Sequence, residues 1–226
     1  MASTAFSLET AMKSLYEEGF VDLNDPEVGE LVSEMEKKSF PYLSPYGLDY
    51  CKQYVLNDTR IRSIIESLLS KCSLGHWLRY KALPGHIECF RKGGPEAGLR
   101  ALIVQQWAKG SRVDYYGGSH QHDLPTEKGE RSLHETSQAA LDAASCKASE
   151  KEFPDGGLVI RDARLYAETK TGYAITFIFA TDEVLAAWPK ITLPNSPELV
   201  RKVVNMESPK IGVNFAIKDS AGSTNT

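Results

Sequence analysis

Apolar residues recur at helical spacing through the first 72 residues of this chain, and from His76 onward that spacing gives way to short alternating blocks between glycine turns. This change of period limits the fold to helices first and a β-rich body after them. Ser7 is placed to cap a helix with Leu8, Ala11, Met12, Leu15 and Tyr16 on one face, ended by Gly19. Asp25-Pro26 opens a second, with Val28, Leu31, Val32 and Met35 as its stripe. Pro41, Pro45 and Gly47 break the pattern, after which Asp58 caps a helix carrying Ile61, Ile64, Ile65, Leu68 and Leu69. Such one-sided stripes are expected to pack on a sheet.

Beyond them, residues 76–83 alternate loosely, Pro84-Gly85 marks a turn, and a strand through Ile87 follows. Residues 99–108 predict a central strand, 111–116 another, and 136–147 an Ala-rich helix or insertion. Residues 157–168 and 173–181 predict a strand pair joined by Thr169-Lys170-Thr171-Gly172. Two short helices are expected at 182–188 and 196–206, a last strand at 211–217, and a frayed tail from Lys218. The order predicts an α+β protein in one domain, a helical annex over 1–75 packed on a β-sandwich or jelly-roll core over 76–217.

With 226 residues, 42% of them hydrophobic, the chain can bury one sizeable core. Its net charge of −4 comes from interspersed residues of both signs, with no basic block longer than Lys37-Lys38, which argues against nucleic acid as a partner. Four widely spaced cysteines and an N-terminus without an apolar signal core predict a cytoplasmic protein with reduced thiols. No apolar run approaches the roughly 20 residues of a membrane span.

The chemistry centres on Gly85-His86-Ile87-Glu88, where an imidazole and a carboxylate two residues apart project from one strand face and could begin a metal site. A 2-His-1-carboxylate site needs a second imidazole, and no His follows His134. His120-Gln121-His122 with Glu127 has the His-x-His-x4-Glu spacing of a cupin motif, yet Asp123-Leu124-Pro125 is turn-like and no later His supplies a fourth ligand. By period two, Asp162, Arg164, Tyr166 and Glu168 share one face, opposite Val159, Arg161, Ala163, Leu165 and Ala167. If the first set points inward with His86 and Glu88, the pocket is polar; the bland alternative is a salt-bridge network filling the barrel.

The order His86-x-Glu88, residues 102–110, Tyr115-Tyr116-Gly117-Gly118-Ser119-His120 and Gly156-Gly157-Leu158-Val159-Ile160 resembles the phytanoyl-CoA hydroxylase-like Fe(II)/2-oxoglutarate dioxygenases over about residues 78–180. The resemblance implies a double-stranded β-helix with iron held by His-x-Asp and a distal His, and an Arg for the 2-oxoglutarate carboxylate. Alignment on Gly156-Gly157 puts Ala167 where the distal His stands in that family, with Glu168 beside it. No basic residue lies in 173–180 to serve as the Arg clamp.

These departures lead to a reading without iron or 2-oxoglutarate: an isomerase or cyclase, pericyclic chemistry included, acting on a small apolar organic substrate. In it His86 and Glu88 transfer the proton and Arg164 and Tyr166 orient oxygen atoms, while Tyr116, His120, Asp162 and Glu168 contact substrate. Two competitors stand beside it. One is an Fe(II)/2-oxoglutarate oxygenase with His86 and Glu88 as ligands and Glu168 or a remote His as the third. The other is a non-catalytic partner subunit of a homologous oxygenase. Homo- or heterodimerisation is left open.

Overall fold

The computed structural model describes residues 6–23 and 25–218; of the tail expected from Lys218, residues 219–226 lie outside the described residues, while the Lys218 amide donates to the Leu193 carbonyl. Helix α1 (Leu8–Glu17) leads into strand β1 (Phe20–Leu23), and helices α2 (Pro26–Lys37), α3 (Pro45–Cys51) and α4 (Thr59–Leu68) follow. Strands β2 (Cys72–Lys81), β3 (Ile87–Cys89), β4 (Ala101–Trp107), β5 (Ser111–Tyr116), β6 (Glu127–Lys128) and β7 (His134–Thr136) precede α5 (Gln138–Ala143). Then come β8 (Ala148–Phe153), β9 (Gly157–Asp162), β10 (Ala167–Thr171) and β11 (Tyr173–Ala180), and after α6 (Asp182–Leu185) β12 (Ile191–Leu193). Helix α7 (Pro197–Val204), β13 (Ile211–Val213) and β14 (Phe215–Ile217) complete it.

One sheet runs β1-β9-β4-β11-β2-β13 and the other β6-β7-β3-β10-β5-β8; β12 and β14 pair separately. The two six-stranded sheets face each other as a jelly roll, the double-stranded β-helix expected of an α+β chain, with the N-terminal helices on the outer face of the first sheet. That face contributes Leu102, Val104, Leu158, Ile160, Ile175 and Phe177 to a core shared with Val32 and Met35 of α2 and with Ile61, Ile64 and Ile65 of α4. Each large side chain so buried contributes roughly 1.5–3 kcal/mol. The expected caps form: the Ser7, Asp25 and Asp58 side chains accept from the amides of Thr10, Glu27, and Arg60 and Ile61 respectively.

The structure overturns several expectations. The segment read as a wholly helical annex supplies β1, which pairs with β9. The expected break after Pro45 is helix α3 continued by a π-helical turn over Lys52–Leu56, because Pro45 sits in the first turn and Ser44 caps it. Residues 134–136 and 148–153 are strands. Most consequential, residues 157–168 are two strands, not one. The Asp162 side chain accepts from the Arg164 amide at 2.8 Å, and the Leu165 amide closes onto the Asp162 carbonyl at 3.1 Å. This Asp-driven turn carries the chain across to the opposite sheet. Strand β10 therefore pairs with β3 and β5, and the expected hairpin with β11 does not exist, β11 lying between β4 and β2.

Candidate active site in the barrel lumen

Strand β3 is short, and its alternation decides what it offers. Ile87 and Cys89 turn outward into a cluster with Tyr116, Leu141 and Tyr166. Glu88 turns the other way, opposite Ala167 of β10 and Glu135 of β7 in the register. The Pro84-Gly85 turn before it needs Gly85 at φ +88°, and the Gly85 amide donates to Glu168 Oε1 at 2.7 Å.

Glu88 is buried, its Oε1 has no hydrogen-bond partner, and its Oε2 lies 3.5 Å from Arg131 Nη1. Burial raises its pKa and nearby Glu135 adds to this, while the Arg131 charge opposes it. Arg161 of β9, buried as well, donates Nη1 to the Leu165 carbonyl at 2.5 Å, stacks its guanidinium over Phe90, and leaves Nε without a partner. Its charge is felt at Glu88, yet among the described residues the two form no ion pair. Thr176 Oγ1 of β11 is also buried and unpartnered. Tyr80 of β2 packs edge-on against Phe90, and burial pushes its phenol up to about 12. Arg131 lies over the Tyr80 ring and donates to the Lys81 and Ala82 carbonyls, closing the seam between the free half of β2 and β3. Outside this seam an opening of about 380 Å³ is lined by Leu78, Tyr80, Lys81 and Arg131.

Glu88 faces inward, and of the two faces left open for the 157–168 segment it is that of Val159 and Arg161, not that of Asp162 and Arg164, which turns into the lumen. Val159, Leu165 and Ala167 join Trp107, Tyr115 and Ala174 between the sheets, so Arg161, assigned to the opposite face, is the guanidinium of the lumen. Asp162 turns to the helix side, holding Arg164 through Nη2–Oδ2 at 2.7 Å. His120 stands near them, its Nε2 3.2 Å from the Tyr16 carbonyl. Tyr166 and Tyr116 belong to the outer cluster of the second sheet, with the Tyr116 hydroxyl donating to Gln138 Oε1. Glu168 is taken up by the Gly85 amide and by Lys170 Nζ at 2.5 Å. His86 stays at the rim, its Nδ1 3.0 Å from Glu135 Oε1, and this hydrogen bond raises its pKa. Tyr80, Arg131, Glu135 and Arg161 were missed. The Arg161-Asp162 pair ending an apolar run was the one available signal, and period two alone could not say which of the pair faced in.

The fold's implied iron does not fit this donor set. Ala167 faces Glu88 where an imidazole is needed, His86 is engaged by Glu135, and two guanidiniums lie beside the carboxylate. Among the described residues no three His, Cys, Asp or Glu side chains gather to hold a metal, so His86, Glu88 and Glu168 do not form the triad considered from sequence. The His120–Glu127 spacing likewise builds nothing, since Ser119–Gln121 is a 3-10 turn.

No protein-family model matches the chain, and no curated protein matches it by sequence. Solved structures define its class: it has the double-stranded β-helix fold. Apo HygX from Streptomyces hygroscopicus superposes at TM-score 0.53 with 12% identity over 80% of this chain and 88% of that one. The epimerase SnoN, in complex with Fe3+, alpha ketoglutarate and nogalamycin RO, gives 0.53 at 14% over 76% and 83%. Apo EctD from S. alaskensis gives 0.53 at 12% over 80% and 79%. At such identities the similarity establishes the fold alone.

Proposed function

We propose that this chain is a non-oxidative isomerase or cyclase that works on a small apolar carbonyl compound in the barrel lumen, in the cytoplasm, without iron or 2-oxoglutarate. The observation that carries the proposal is the pairing of two unsatisfied buried groups, Glu88 Oε1 and Arg161 Nε, turned into one lumen without bonding each other. Buried polar atoms are almost always satisfied, and exceptions concentrate where a ligand or a reacting group completes them. Arg161, with the Tyr80 hydroxyl, holds the substrate oxygen. The Glu88 carboxylate, made more basic by burial, takes a proton from the adjacent carbon, and the C–H electron pair moves into an enolate stabilised by the guanidinium. Return of that proton to a different carbon gives an isomer; alternatively the enolate carbon attacks a second carbonyl of the same molecule, the C=O π pair moves to its oxygen and the Glu88 proton is returned there, again an isomer with no net redox change. Four free, buried thiols support a reducing compartment.

The test is proton NMR in D2O with a panel of small enolisable ketones, comparing wild type with Glu88→Gln, alongside elemental analysis after anaerobic Fe(II) loading and desalting. Expected are deuterium incorporation by wild type, its loss in the variant, and no retained iron. Stoichiometric iron with 2-oxoglutarate-dependent oxygen uptake would overturn the proposal, as would exchange that survives Glu88→Gln.

A further inference from the structure

A cavity of about 530 Å³ lies on the helix side of the first sheet, away from the lumen. Its walls are apolar, from Met12 and Leu15 of α1, Leu68 of α4, Leu99 and Leu102, and one end is polar, formed by His120, Asp162 and Arg164. That end is built rather than incidental. Asp162 is 3% exposed, and it fixes Arg164 through Nε at 3.0 Å and Nη2 at 2.7 Å. The Arg164 Nη1 makes no hydrogen bond among the described residues. His120 and Gln121 both donate to the Tyr16 carbonyl, pinning the end of α1 as a wall.

Hydrogen bonding around this end is incomplete. Arg91 lies close enough to feel both Asp162 and Arg164, and its Nη1 is buried with no partner. Asp162 is the carboxylate that engages Arg164, Glu183 engages Arg100 and reaches Arg91 through space, and His120 Nδ1, buried in the same end, has no partner. Buried polar nitrogens without partners are costly unless a ligand joins them. We infer that this cavity is a second ligand site, for a small amphipathic monocarboxylate whose carboxylate meets Arg164 and whose apolar body lies among Met12, Leu15, Leu68 and Leu99. The inference is independent of the lumen chemistry, because neither Glu88 nor Arg161 lines this cavity.

Decanoate and decanol serve as probes, titrated into the whole protein and followed by amide NMR shifts. Decanoate is expected to bind one molecule per chain and to move the amides of Leu15, Gly98 and Leu99. Decanol, which lacks the charge, is expected to bind about tenfold or more weakly, since a hydrogen bond to a charged group is worth roughly 1.5–3 kcal/mol. Arg164→Lys should weaken decanoate by a similar factor through loss of the planar fork. Leu99→Trp, which puts an indole into the cavity from a partly exposed position, should block both probes even if Arg164→Lys fails to fold. Glu88→Gln should bind decanoate as wild type does. Equal affinity for the two probes, unchanged binding by Leu99→Trp, or shifts that gather at Tyr80 and vanish in Glu88→Gln would each overturn the assignment.

Discussion

Glu88 is kept in a position that costs the fold something at neutral pH. Its pKa is raised above the ordinary 4.5 by burial, so the folded chain holds this proton more tightly than the unfolded chain does. The contribution is therefore most favourable below about pH 4.5, declines as pH rises through the folded-state pKa, and stays at its lower value above it. Glu88→Gln is neutral throughout. It is expected to raise Tm at pH 7, by about 2–4 °C for each kcal/mol relieved, and to match wild type near pH 4. Thermal melts across that range check this; a variant less stable at pH 7 would show that Arg131 more than compensates the burial. A carboxyl that lowers stability where it stands is the trade expected of a working group.

Caps and turns explain why some elements were legible in the sequence and others were not. Ser7, Asp25 and Asp58 announced α1, α2 and α4 because a capping side chain acts within three residues of itself. Pro45 and Gly47 looked like breakers, yet Pro45 sits where a helix tolerates it. Gly47 is required because a Cβ would lie 2.4 Å from the Pro41 carbonyl oxygen. The same reasoning yields a test on α2, where a Cβ at Gly29 would stand 2.0 Å from the Asp155 carbonyl oxygen. In an isolated helix Gly→Ala adds about 1 kcal/mol. Here Gly29→Ala should destabilise by roughly 1–3 kcal/mol, read as a lower urea midpoint, because the helix is seated on backbone that cannot rotate away. A raised midpoint would mean that α2 shifts freely on the sheet.

Across the whole molecule, β4 and β11 are the best-protected strands, each paired on both sides along its length and covered by helices on one face and the opposite sheet on the other. Amide exchange of 102–107 and 174–179 is expected to follow global unfolding, whereas the short β6 and β7 exchange through local opening. Faster exchange in β4 than in β7 would contradict this layering. The sequence by itself determined that most helices precede the β-rich body, the three capped helices, a central strand within 99–108 and the placement of His86 and Glu88 on one face of a strand, since period and capping are local properties. It also determined that Ala167 stands where the resemblance calls for an imidazole. Only the tertiary structure decided that Asp162 would turn the chain between sheets, that Arg161 rather than Arg164 would share the lumen with Glu88, and that Arg131 would close the seam above them. Those outcomes depend on which sheet each strand joins, and strand pairing between distant segments is fixed by the packing of the two sheets, which a period of two cannot encode.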